Sequence, residues 1–100
     1  MFIFIDDNRP NPHPEKYNSF KSVEEAIELM SLITPSFVST DYDLGRDKMD
    51  WLDLLRWIHN NKKYPKHINI HSDHPTGVNE MMAFIKENFP ADIEVTKNKV

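Results

Sequence analysis

Three short runs in this sequence have the length of buried strands, and each ends abruptly in a polar cluster. They cover residues 2–5, 37–40 and 67–70. The first, Phe-Ile-Phe-Ile, is entirely apolar and stops at the acidic pair Asp6 and Asp7. Short apolar runs that are bounded by polar residues are typical of strands buried inside a sheet. The pattern therefore predicts three central strands whose ends carry the polar chemistry of the chain.

The clusters that follow these runs contain carboxylates and imidazoles. Parallel strands of an open α/β sheet bring their carboxyl ends to one edge, where ligands bind. Titratable groups that converge in such a crevice are candidates for catalysis or ion binding. We therefore expect the following side chains to lie together: Asp6 and Asp7 after the first run, Asp41 and Asp43 after the second, and His71 and Ser72 after the third.

Other apolar positions repeat at helical spacing in three segments. In the first segment, Ser22 with Glu25 three positions later forms a capping-box pattern. Proline cannot continue a helix, so Pro35 and Pro90 limit the first and third segments. The predicted helices begin after Ser22, after Asp50 and at residues 76–77.

The segment after the first strand is predicted to be a loop. Residues 9–14 contain three prolines and cannot be helical throughout. Short strands are predicted at residues 17–20 and 93–95, which gives five strands and about three helices. Right-handed crossovers leave few arrangements of parallel strands, and the flavodoxin-like order 2-1-3-4-5 is the natural one. The predicted fold class is a three-layer α/β fold that lacks the first crossover helix.

Length, charge and cysteine content narrow the classes of protein that fit. One hundred residues form a single domain, 1–100, and a hydrophobic content of 39% indicates a packed core. The absence of cysteine excludes disulfides and thiol catalysis. Without a leader-like or membrane-length apolar run, we expect a cytoplasmic protein with no membrane partner. A net charge of -4 disfavours binding to extended nucleic acid, which depends on neutralising phosphates.

The order of these motifs resembles that of response-regulator receiver domains. In that family an acidic pair after the first strand binds magnesium, which would be the role of Asp6 and Asp7 here. An Asp after the third strand accepts phosphate, and Asp41 occupies that place. Ser72 would correspond to the family's hydroxyl residue after the fourth strand. Lys97 matches the lysine after the fifth strand poorly.

A more specific resemblance is to the cyclic-phosphate processing receiver domains, a compact offshoot with a helix lost after the first strand. Their motifs D-D-x-R, S-x-D-H-D-L-G and H-S-x-N-P-x-G correspond here to residues 6–9, 39–45 and 71–77. The resemblance covers about residues 1–89. Tyr42 replaces a motif histidine, and His74 replaces a motif asparagine. The resemblance implies action on a cyclic phosphate, such as a 2′,3′-cyclic RNA end or a cyclic nucleotide.

The residue types suit hydrolysis of a phosphoester. Histidine exchanges protons near neutral pH, so His71 is the first candidate for acid or base. Arg9 offers a bidentate fork to phosphate oxygens, and the helix start near Gly77 offers backbone amides. Clustered carboxylates repel one another unless a cation such as Mg²⁺ relieves the charge. The predicted sites are catalytic His71, Asp41, Asp43 and His74; substrate-binding Arg9, Ser72, Tyr42 and Gly77; and metal-binding Asp6, Asp7 and Asp41.

Three functions stay open at this stage. The first is a phosphoesterase that acts on a small cyclic phosphate or an RNA end. The second is a degenerate receiver, in a phage or defence setting, that sequesters such a ligand or docks on a protein partner; Tyr42 favours it. The third is a phospho-accepting receiver with Asp41 as acceptor, which the missing first helix and the poor match of Lys97 disfavour. A structural role is also open for His71, because a buried imidazole is usually satisfied by surrounding hydrogen bonds.

Overall fold

The computed structural model describes residues 1–44 and 49–98. These residues form one parallel five-stranded sheet with three helices. The elements in chain order are β1 (Phe2–Ile5), β2 (Asn18–Phe20), α1 (Val23–Met30), β3 (Phe37–Thr40), α2 (Trp51–Asn61), β4 (His67–Ile70), α3 (Pro75–Asn88) and β5 (Glu94–Lys97). The strand order is β2-β1-β3-β4-β5, which confirms the prediction. Among the described residues, no helix is long and apolar enough to cross a bilayer.

The first two helices begin at the caps that the sequence predicts. Oγ of Ser22 accepts a hydrogen bond from the backbone N–H of Glu25, and its hydroxyl donates to the Glu25 carboxylate. Asp50 accepts from the N–H of Asp53, whose carboxylate accepts from the N–H of Asp50 in return. These reciprocal bonds satisfy backbone donors that a helix start leaves unpaired.

Two helix boundaries differ from the predicted ones. α1 ends at Met30, short of the apolar pattern, and leaves the side chain of Leu32 79% exposed. α3 begins at Pro75, because Nδ1 of His74 accepts from the N–H of Gly77 and caps the helix. Histidine is not among the preferred N-cap residues, so the sequence pattern placed the start slightly too late.

All three helices pack on one face of the sheet. The buried strand residues on this face are Ile3, Ile5, Val38, Ile68 and Ile70, and the helices add Val23, Ala26, Met30, Leu54, Leu55, Ile58, Val78, Met81 and Ile85. α2 lies between α1 and α3 and contacts both. This apolar layer anchors the strands and thereby holds their carboxyl ends in place.

The opposite face is covered by Tyr17, from the segment between β1 and β2, rather than by a helix. The ring of Tyr17 stacks on Phe4 and Phe37 with centroid separations of 6.0 and 5.6 Å. Phe2 joins the same cluster. The third layer of the fold is therefore short and aromatic in the described part of the chain, as the loss of the first crossover helix requires.

A polar row crosses that same face beside the aromatic cluster. The register pairs Phe4 with Ser39, Ser39 with Asn69, and Asn69 with Thr96. Side chains alternate between the two faces of a strand, so these residues point away from the helices. Ser39 and Asn69 are fully buried, which requires hydrogen-bond partners for both.

Candidate functional site

Three carboxylates converge at the carboxyl edge of the sheet. One oxygen from each of Asp6, Asp7 and Asp41 lies within 4.8 Å of the others. Asp6 is buried, Asp41 is half-buried and Asp7 is exposed. The two acidic clusters after β1 and β3 therefore meet, as the strand-end pattern predicts.

Asp6 is held in one orientation by two backbone N–H groups and the ring of His71. Its Oδ1 accepts from the backbone N–H groups of Asn8 and Arg9, both at 2.8 Å. Its Oδ2 lies 3.0 Å from Nε2 of His71. A carboxylate has about four acceptor positions, so one position on Oδ2 stays available to a further partner.

His71 is completely buried beneath this cluster. Its Nδ1 lies 2.7 Å from Oγ of Ser39, and its ring stacks on Phe4 with a centroid distance of 4.4 Å. Burial lowers the pKa of His71, while the neighbouring Asp6 carboxylate opposes that effect. The exposed fraction is 0%, and both ring nitrogens are engaged. His71 is thus buried and satisfied by hydrogen bonds, as expected for a structural imidazole. It contacts the carboxylate cluster through Asp6.

Asp41 lies in a setting that favours a bound cation. Burial and the charge of Asp6 raise the pKa of the Asp41 carboxyl, whereas the backbone N–H groups of Asp43 and Tyr42 and the hydroxyl of Ser72 lower it. The repulsion between Asp41 and Asp6 is what a divalent ion would relieve. Hard oxygen donors are the ligands that Mg²⁺ prefers, so the donor set fits that ion.

The loop after β4 is ordered by its own polar side chains. Oγ of Ser72 accepts from the N–H of His74 at 3.1 Å, and the N–H of Ser72 donates to the Asn98 side chain at 2.9 Å. The N–H of Gly77 is used by Nδ1 of His74 at 2.9 Å. The Gly77 amide, which was predicted to bind a phosphate, is therefore occupied by the helix cap. The exposed ring of His74 keeps Nε2 for another partner.

Tyr42 packs directly against the start of α3. A Cβ atom placed on Gly77 would lie 2.4–2.5 Å from the Tyr42 ring, so only glycine leaves room for this contact. The ring also stacks on His74 and Trp51, with centroid distances of 4.8 and 5.7 Å. Tyr42, which departs from the family motif, thus forms one wall of the site and contacts Gly77 and His74, two other predicted site residues.

Arg9 and Lys97 are the basic side chains that the two family resemblances compare with motif residues. A guanidinium nitrogen of Arg9 lies 2.9 Å from Oδ2 of Asp73, in a pair whose side chains are 40% and 96% exposed. Lys97 is exposed and lines a depression with Ser72 and Asp73. Within residues 1–44 and 49–98 the structure records no ion pair between Lys97 and Asp41.

A pocket of about 630 Å³ opens beside the carboxylates. Its lining residues are Asp7, Asn8, Tyr42, Asp43, Leu44, Asp50 and Trp51. The acidic side chains would repel a phosphate unless a cation lies between them. Asp43 is thus in the pocket, as predicted, whereas Gly45 of the same motif lies outside the described residues.

Several residues around the site were not among the predicted ones. Trp51 lines the pocket, Asn98 orders the loop after β4, and Ser39 and Asn69 lie beneath His71. Ser39 and Asn69 each lie two residues before a predicted site residue on its strand. The alternation of strand side chains places such residues on the same face and could have identified both.

Comparison with known proteins yields one family and no individual relative. The sequence matches the family described as "Cyclic-phosphate processing Receiver domain" over residues 1–87. No curated protein and no solved structure matches the chain. The matched region contains Asp6, Asp7, Asp41, Asp43 and His71, and ends within α3. The chain therefore belongs to the family of cyclic-phosphate processing receiver domains.

Proposed function

We propose that the protein is a Mg²⁺-dependent phosphoesterase that opens a cyclic phosphate. One observation carries the proposal: the oxygens of Asp6, Asp7 and Asp41 converge within 4.8 Å beside a pocket of about 630 Å³. Membership in a family linked to cyclic phosphates supports the substrate class. A 2′,3′-cyclic RNA end and a free cyclic nucleotide share the reacting group, and both remain candidates.

Asp7, Asp41 and the open position on Oδ2 of Asp6 would hold the ion. A bound Mg²⁺ supplies positive charge that polarises the phosphoryl group and neutralises developing negative charge. The protein residues fix where that charge lies, because two backbone N–H donors and the ring of His71 hold Asp6 in place. His71 acts by orienting Asp6, since its buried ring cannot itself reach a ligand.

Ring opening adds one water across one P–O bond. The hydroxyl joins phosphorus, the bond to one ester oxygen breaks, and the water's second proton ends on the released oxygen. Asp43 lines the pocket and can accept a proton from the water. Asp43, once protonated, can return that proton to the released oxygen. The exposed His74 can donate a hydrogen bond to the same oxygen, because its Nδ1 accepts from the N–H of Gly77 and its ring then carries the proton on Nε2.

The remaining predicted residues bind and shape the substrate in this proposal. Arg9 has guanidinium donors beyond the nitrogen that contacts Asp73, and these are available to phosphate oxygens. Tyr42 offers an aromatic face in the pocket to a base or sugar. Ser72 supports Asp41 through its hydroxyl, and Gly77 leaves the space that Tyr42 fills.

The experiment combines metal binding with turnover. Thermal melting with and without Mg²⁺ measures binding, because an ion at a hundred times its Kd adds about 2.7 kcal/mol to stability. ³¹P NMR follows a panel of 2′,3′-cyclic and 3′,5′-cyclic mononucleotides. We expect Mg²⁺-dependent hydrolysis that falls roughly 100-fold or more in Asp7→Asn, since the ion contributes several kcal/mol to the transition state. Asp92→Asn is the matched control, an exposed carboxylate before β5.

The second candidate is a protein that binds a cyclic phosphate without turnover. The structure favours it at one point, because Tyr42 stands where the family motif has a histidine and the other motif histidine, His71, is buried. Under this function, wild-type protein would bind a cyclic nucleotide in calorimetry and return it unchanged. Absence of both hydrolysis and binding over the whole panel would contradict both candidates and leave docking on a protein partner.

A further inference from the structure

A chain of hydrogen bonds runs across the sheet beneath the carboxylate cluster. The hydroxyl of Thr96 donates to Oδ1 of Asn69 at 2.8 Å, and Nδ2 of Asn69 donates to Oγ of Ser39 at 3.1 Å. Oγ of Ser39 lies 2.7 Å from Nδ1 of His71. Nε2 of His71 lies 3.0 Å from Oδ2 of Asp6. The chain thus connects β5, at the edge of the sheet, to the carboxylate after β1.

The chemistry of the groups fixes the direction of these bonds. The Asn69 amide nitrogen can only donate, so Ser39 accepts there and its single hydroxyl proton is left for Nδ1 of His71. At the other end, an ionised Asp6 can only accept, so Nε2 of His71 must carry a proton. Both ends require the same neutral tautomer of His71, with its proton on Nε2.

Ser39, His71 and Asp6 are connected in the order of a nucleophilic triad, but access rules out that role. Ser39 is 0% exposed, and its oxygen already accepts from Asn69. A serine nucleophile must reach the substrate with its oxygen. The hydroxyl therefore acts on the imidazole and, through it, on the carboxylate.

We propose that Ser39 is a positioning residue for the carboxylate cluster. Its hydroxyl holds His71 as the Nε2–H tautomer, and that N–H holds Asp6 in the orientation that brings its oxygen within 4.8 Å of Asp7 and Asp41. The carboxylate is rigid and planar, so a change in the contact at Oδ2 also changes the bonds that Oδ1 accepts from the backbone N–H groups of Asn8 and Arg9. The consequence for metal affinity rests on the proposed function, whereas the tautomer does not.

The first measurement is the tautomer itself. Wild-type protein with ¹⁵N-labelled histidine, without metal, is studied by long-range ¹H–¹⁵N NMR at neutral pH. We expect one protonated ring nitrogen in His71, Nε2, with Nδ1 unprotonated. A His71 ring protonated on Nδ1, alone or together with Nε2, would overturn the proposal.

The second measurement is metal affinity by Mg²⁺ titration of the melting temperature. Removing a partner that orients a metal ligand typically weakens binding roughly 10- to 100-fold, and we expect this for Ser39→Ala. Ser39→Thr keeps the hydroxyl and should restore most of the affinity. Ser36→Ala is the matched control, because that hydroxyl bonds to Met1 O at the opposite edge of the sheet. If Ser39→Ala does not fold, Thr96→Val, which removes the hydroxyl that donates to Asn69, takes its place.

The outcomes separate this proposal from the proposed function. Unchanged Mg²⁺ affinity in Ser39→Ala, with a wild type that does bind Mg²⁺, would overturn the positioning role. If the wild type binds no Mg²⁺, the proposed function fails, and hydrogen exchange of the Asn8 and Arg9 amides still reports on Asp6. Faster exchange of both amides in Ser39→Ala than in Ser36→Ala would then support the positioning role, and equal exchange would refute it.

Discussion

The contact between Tyr42 and Gly77 predicts that one substitution, Gly77→Ala, changes stability in opposite directions in the wild type and in a Tyr42→Ala protein. In the wild type, an alanine Cβ at position 77 would lie 2.4–2.5 Å from three carbon atoms of the Tyr42 ring. Favourable carbon contacts lie at about 3.5–4.0 Å, so the ring or the helix start must shift by more than 1 Å. Overpacking of this kind costs about 1–3 kcal/mol.

Helix propensity acts in the opposite direction at the same position. Alanine is favoured over glycine within a helix by up to about 1 kcal/mol. Gly77→Ala should therefore destabilise the wild type by about 1 kcal/mol on balance, but stabilise a Tyr42→Ala protein, in which the ring is gone. The coupling free energy between the two positions should be about 1–3 kcal/mol.

Urea denaturation of the four proteins in the double-mutant cycle measures this coupling. Thermal melting gives a parallel value, because 1 kcal/mol shifts the melting temperature of a domain of this size by roughly 4–8 °C. Thr76→Ala is the control, since this neighbouring side chain is exposed and should have the same effect in both backgrounds. A coupling below about 0.5 kcal/mol for Gly77 would show that Tyr42 does not pack on α3, and would refute the described wall of the site.

Three further predictions concern charge and packing. Asp41→Asn should raise the melting temperature of metal-free protein at neutral pH. The pKa of Asp41 is raised in the folded protein, so ionisation of this carboxyl costs stability as pH rises. The gain in melting temperature should therefore vanish below the ordinary Asp pKa of about 3.9. A gain that persists at pH 3 would contradict this origin. Leu54→Ala should cost about 2–5 kcal/mol in urea denaturation because Leu54 is fully buried, whereas Leu32→Ala, at a 79% exposed side chain, should change stability by less than about 0.5 kcal/mol. Arg9→Ala should change stability by no more than about 1 kcal/mol, because its partner Asp73 is exposed; a larger loss would indicate a structural role for the guanidinium.

The sequence alone determined the order of the sheet and the meeting of the carboxylates. Apolar runs that end in Asp6 and Asp41 indicate parallel strands, and parallel strands bring their carboxyl ends to one edge whatever the details of packing. The caps Ser22 and Asp50 are equally local, because each bonds to the backbone within three residues. Short-range rules of this kind depend on spacing along the chain, which the sequence contains in full.

Only the tertiary structure decided what each polar residue contacts. Whether His71 faces a ligand or lies buried depends on the register that brings Ser39 and Asp6 to its two nitrogens from other strands. The same holds for Gly77, whose missing side chain matters because Tyr42 arrives from the loop after β3. These contacts join residues 32–65 positions apart, and such distances are set by packing of the whole domain rather than by any local pattern.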